Sequence, residues 1–152
     1  GPRRGRLRAA GAQAQKALDL VCKYQVTSAI VDRIASDPYK NVTIFVFEGE
    51  PPGDIGSDDL AHTETGTEAR AEYSSRRSLP GTPDPIEVPI FIYLRRFERG
   101  TLGFELGLDS WIAVRLAHEL WHADTLIGTE PNTQDLGRNT GEMFYQWLKA
   151  NP

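Results

Sequence analysis

The sequence predicts an α+β domain: a small mixed sheet packed on a long N-terminal helix and on a second helix that carries a metal-ligand motif. Three observations predict it. Ala14, Ala17, Leu18, Val21, Val26, Ala29, Ile30 and Ile34 form an apolar stripe at helical spacing. Two short β-branched and aromatic runs, NVTIFVF over 41–47 and IEVPIFIYL over 86–94, read as strands. Between 111 and 123 a second apolar helical pattern contains His118-Glu119-Leu120-Trp121-His122, an H-E-x-x-H motif.

Composition bounds the answer. The chain has 152 residues, enough for one domain with its own core. Its net charge of −4 argues against a general nucleic-acid binder. A single cysteine, Cys22, excludes an internal disulfide, and its apolar setting predicts a buried, inert thiol. No apolar run has membrane-spanning length, and no signal-peptide pattern is present.

Taken in order, Gly1-Pro2 reads as a protease-cleavage remnant, and Arg3, Arg4, Arg6 and Arg8 as a flexible basic head over 1–8. One domain then fills 9–152. Residues 9–35 read as one long helix, straight or bent, ended by Asp37-Pro38. The first strand follows at 41–47. Residues 49–59 are a loop, with an Asp54, Asp58 and Asp59 cluster that lacks EF-hand spacing. Residues 62–75 suggest a weak strand, with His62 as a loop imidazole, and 76–85 suggest another loop. Pro89 cannot donate to a ladder, so the strand at 86–94 is expected at a sheet edge. Asp109-Ser110 reads as the N-cap of the motif helix and Gly128 as its C-cap. A closing helix spans 140–150, capped by Asn139 or Thr140, with Glu142 in its first turn.

The motif carries the chemistry. Residues i and i+4 share a helix face, so His118 and His122 project to one point. Two neutral imidazoles then occupy two corners of a zinc tetrahedron. Glu119 is rotated about 100° round the axis, poorly placed to ligate but placed to act as base toward an activated water. A catalytic zinc usually takes a third protein ligand. Asp124 lies about 200° round the helix from His122, and Glu130 and Asp135 lie on a loop. Glu142, on a rigid helix, is the preferred third ligand, and Asp135 is the second choice. Tyr145 is a candidate helper for the oxyanion, with a core aromatic as the alternative, and Arg115 reads as a solvated arginine.

The H-E-L-W-H-A segment followed by a Glu-bearing helix resembles the zincin metallopeptidases, the gluzincin branch in particular. The wider element order, with Gly128-Thr129 after the motif, resembles the small zinc peptidases delivered as bacterial effectors. That group includes the type III effector that cleaves host MAP kinases, and related toxin domains. The resemblance implies a zincin-like fold, a Zn2+ cofactor held by His118, His122 and Glu142, and peptide-bond hydrolysis with Glu119 as base. It also implies a protein substrate held along an edge strand, action in a target-cell cytosol, an inhibitor or immunity partner, and a monomer. Two features depart from it. Gln146 stands where thermolysin-like enzymes carry an acid, and residue 132 is Asn where a G-T-x-x-D pattern requires Asp. No H-x-x-G-x-x-H extension is present. Two other functions fit the same residues: a silent zincin-like binding module, and a zinc hydrolase of a non-peptide amide.

Overall fold

The computed structural model describes residues 6–47, 61–63, 67–94, 106–127 and 136–152. Among them, four strands form one mixed sheet in the order β1-β2-β4-β3. Strands β1 (Arg6–Ala10), β2 (Lys40–Phe47) and β4 (Ile86–Tyr93) are parallel, and β3 (Ala61–Thr63) pairs antiparallel with β4. The helices are α1 (Ala12–Val21), α2 (Gln25–Ser36), α3 (Thr67–Ser78), α4 (Leu108–Thr125) and α5 (Leu136–Ala150). No helix among the described residues is long and apolar enough to cross a membrane.

Side chains alternate across a strand, and the register puts Val42 opposite Val88, Ile44 opposite Ile90 and Val46 opposite Ile92. With Ile86, and with Val46 partly buried at the margin, these residues form the sheet's side of the core, against Ala14, Ala17 and Val21 of α1, Ile30 and Ile34 of α2, Leu116 and Leu120 of α4, and Phe144 of α5. Ala61 and Thr63 of β3 sit opposite Ile92 and Ile90, so they share this helix-facing side. The other face carries an aromatic ladder, in which the Phe45 and Phe91 rings lie 5.7 Å apart and the Phe47 and Phe91 rings 5.5 Å apart.

A small mixed sheet packed with helices is present as predicted, its strands β1, β2 and β4 parallel; the single long N-terminal helix is not. Arg6 and Arg8 belong to β1, which pairs with β2, so these two arginines are no frayed head. Leu7 and Ala9 pack on the core between them, a period-2 alternation that the helix-forming Ala9-Ala10 obscures. The helical stretch then breaks after Val21. Thr27 Oγ1 donates to Val21 O at 2.6 Å, satisfying a carbonyl that a continuous helix would have used. Cys22 lies at that break and is exposed, not buried. Although the residue is exposed as a whole, desolvation of its thiol by the atoms around it, and then the neighbouring Asp19 and Asp32, raise its pKa, so the thiol stays protonated at neutral pH.

Four further expectations change. Residues 67–78 form α3 where a weak strand and a loop were expected. The strand at 86–93 is not an edge: β2 lies on one side and β3 on the other, opposite Ile90, Phe91 and Ile92. Pro89 sits opposite Thr43 of β2, and among the described residues β3 does not extend to it. Helix α4 starts at Leu108 after Gly107, with no side-chain cap; Asp109 instead accepts Gln13 Nε2 at 2.6 Å, tying α1 to α4. Helix α5 starts at Leu136, so Thr140 and Glu142 lie inside it. Asp54, Asp58, Asp59, Gly128, Glu130, Asp135 and the His62 side chain lie outside the described residues.

Candidate functional site

Helix α4 presents the motif at the sheet. Its apolar residues Ile112, Leu116 and Leu120 are fully buried, and this fixes the helix's rotation. His118 is half-buried, while Glu119 and His122 are 5% and 8% exposed. Among the described residues these three form a group able to hold a metal ion, with ligand atoms all within 4.8 Å of one another.

The two imidazoles face each other, with His118 Nε2 and His122 Nε2 3.1 Å apart. An ion at the usual Zn–N distance of ~2.05 Å from both would subtend an angle of about 98°, close enough to tetrahedral for one shared ion. The other ring nitrogen of His122, Nδ1, lies 2.6 Å from Ile127 O. A carbonyl only accepts, so Nδ1 carries the proton and, in the neutral ring, Nε2 presents its lone pair to the site. The left-handed Leu126 (φ 59°) ends α4, and its N–H bonds His122 O at 2.7 Å. That sharp turn brings Ile127 O back onto the ring. Trp121 packs edge-on against His122 at 5.2 Å. The residues present fit a metal ion when His118 turns its Nε2 lone pair to the site, a tautomer that the Arg115 guanidinium 3.4 Å from Nδ1 disfavours.

Glu119 is held from the sheet. Thr63 Oγ1 donates to Glu119 Oε1 at 2.6 Å. The last turn of α4 is held as well. Lys40, 3% exposed at the start of β2, donates from Nζ to Ala123 O at 2.9 Å and Asp124 O at 2.6 Å. Burial pushes the Lys40 pKa down, while Asp37 and Asp124 pull it back up. Arg33 of α2 bonds Asp124 Oδ2 through Nε at 3.1 Å and Nη2 at 3.0 Å.

Beside His118 lies a cavity of about 210 Å³, lined by Trp111, Val114, Arg115, His118, Gly141 and Glu142. Gly141 of α5 faces this wall: a Cβ there would sit 3.6 Å from His118 Cβ, an ordinary contact. Arg115, expected in solvent, is half-buried, with Nη1 3.4 Å from His118 Nδ1. Glu142 shares the cavity with His118 but is not in the group of three; its Oε1 accepts Gln146 Nε2 at 3.0 Å. Tyr145 stacks on Trp111 at 4.9 Å, with Lys149 Nζ 5.1 Å above its ring.

The structure thus brings His118, Glu119 and His122 together, sets Glu142 on the adjoining wall, and packs Tyr145 against an aromatic neighbour. Sequence reasoning missed Thr63, Lys40 and the Ile127 carbonyl. No family model, curated protein or solved structure matches the chain.

Proposed function

We propose that the chain is a zinc-dependent peptidase of zincin type. The observation that carries this reading is the imidazole pair, Nε2 to Nε2 3.1 Å, with His122 oriented by Ile127 O and the Glu119 carboxylate beside it. His118 and His122 would hold the ion, with Glu142, on the same cavity wall as His118, as third ligand. A zinc ion there supplies Lewis acidity, polarising a carbonyl and making water more acidic. Glu119 takes the proton of the attacking water and returns it to the leaving amine. The substrate would add as a strand to β3, whose side away from β4 has no partner strand among the described residues. This replaces β4 in that role. By the resemblance to effector and toxin peptidases, the protein would act on a protein in a target-cell cytosol.

The test combines metal analysis with hydrolysis of fluorescein-labelled casein and a mixed lysate. Wild type should carry about one zinc per chain, as a single three-ligand site requires. His118→Ala and His122→Ala should lose it, and Glu142→Ala should bind it much more weakly. Glu119→Gln should keep zinc and lose about 10²–10⁴-fold in turnover, the usual cost of removing a general base. Stoichiometric zinc in both histidine variants sinks the site, and unchanged cleavage by zinc-loaded Glu119→Gln sinks the mechanism. Zinc bound without any cleavage moves the assignment to a binding module.

A further inference from the structure

Thr63 lies outside the motif, 56 residues before Glu119, on the three-residue strand β3. Its register opposite Ile90 turns it toward the helices, on a face built mostly from Val, Ile, Leu and Ala. A hydroxyl on such a face is costly unless it is bonded. Thr63 is 6% exposed and spends its one proton on Glu119 Oε1 at 2.6 Å; Glu119 O, at 3.4 Å, is the more distant acceptor. Glu119 itself is 5% exposed, so the bond runs to a carboxylate in a nearly dry setting, where charge-assisted bonds are short and strong.

We infer that Thr63 is a positioning residue for Glu119, holding Oε1 so that Oε2 is the oxygen that meets the attacking water. The role rests on the peptidase reading above. It also links two parts of the site. Thr63 belongs to the strand proposed to hold the substrate, so the substrate's register and the base's orientation are set by the same three residues. Valine has the shape of threonine without the hydroxyl and suits a strand. Thr63→Val therefore frees the Glu119 carboxylate to turn without emptying the space around it. Substrate binding is untouched, so the loss falls on kcat and not on KM.

Two measurements test this. The first needs neither metal nor activity: denaturant unfolding of the metal-free protein in a double-mutant cycle of Thr63→Val and Glu119→Met. Methionine keeps the length of glutamate without an acceptor. The unfolding constants should show coupling of roughly tenfold or more, as for a hydrogen bond to a charged group, and Thr63→Ser should stay near wild type. Coupling below about twofold overturns the inference. The second is hydrolysis of fluorescein-labelled casein by the zinc-loaded protein. Thr63→Val should lower kcat about 10–100-fold at unchanged KM and zinc content, with Thr63→Ser restoring most of it. Wild-type kcat in Thr63→Val, where Glu119→Gln is dead, removes the positioning role and leaves the peptidase reading standing. Coupled unfolding with no hydrolysis by wild type removes both, and reduces Thr63–Glu119 to a buried hydrogen bond.

Discussion

The Tyr73 hydroxyl donates to Asp37 Oδ2 at 2.5 Å, and Lys40 Nζ lies 4.9 Å above the same ring. Burial first, and the bond to Asp37 second, push the Tyr73 pKa up to about 12. In the unfolded chain the phenol would lose its proton near ~10. Below that pH both states hold the proton and the contribution is fully present. Between the two values the unfolded chain releases a proton that the folded chain keeps, so stability falls as pH rises and the contribution is lost through about 12. Lys40 works the other way: burial holds its pKa low, so the cost of its charge fades as pH rises toward the ordinary lysine value. Comparing wild type with Tyr73→Phe isolates the tyrosine. In a spectrophotometric titration of the native protein, Tyr73→Phe should remove one phenol that titrates near 12. Thermal scans from about pH 9.5 to about pH 11.5 should show a shallower loss of Tm in Tyr73→Phe than in wild type. Equal slopes would place the late-titrating phenol elsewhere.

At the scale of the element, the contact between α4 and α5 shapes the wall beside His118. In sequence the closing helix reads as starting at Thr140, which puts Gly141 in its first turn. In the structure it is the point where two helices touch: an added Cβ meets Val114 O at 3.5 Å and His118 Cβ at 3.6 Å. Both are ordinary contacts, so Gly141→Ala fits. It should stabilise α5 by up to about 1 kcal/mol, the helix-propensity difference, and leave metal binding unchanged. Gly141→Leu would push a branched side chain into the cavity beside His118; it should cost about 1–3 kcal/mol and weaken zinc binding by crowding His118 or Glu142. Denaturant unfolding and zinc competition read both variants, and an equally damaging Gly141→Ala would show a tighter contact than this one. The same scale explains what was legible in the sequence. The strands at 40–47 and 86–93 stood out because β-branched and aromatic runs are local signals. Helix α3 was hidden because it is polar and its support comes from pairs such as Arg76 Nε to Glu72 Oε1 at 2.7 Å, which leave no apolar period. Pro89 misled because proline reports a missing donor at one position, not the fate of a whole strand.

For the whole molecule, the division follows sequence distance. His118, Glu119 and His122 were readable because one helical turn fixes their spacing. Thr63 and Lys40 were not: they reach α4 across 56 and 83 residues, and only the packing of the sheet on the helices brings them there. Lys40 shows why such contacts matter beyond their own bonds. It begins the central strand β2, and its ammonium caps the last carbonyls of α4, so one side chain ties the sheet to the end of the candidate metal helix. The turn it secures runs directly into Leu126 and Ile127, whose carbonyl orients His122. Lys40→Met keeps the stem's volume and removes the charge. It leaves Ala123 O and Asp124 O without this donor and Asp37 without a cation 4.0 Å away. Losing one member of such a buried set should cost about 2–4 kcal/mol, read as a lower denaturant midpoint at unchanged m-value. Zinc affinity should fall about tenfold, the low end for a group acting through the partner of a ligand, because Ile127 O is no longer held against the ring. Glu119 is held separately by Thr63, so a Lys40→Met protein saturated with zinc should recover most of its turnover. A variant that keeps wild-type zinc affinity while losing the stability would confine Lys40 to the fold and separate the α4 terminus from the site.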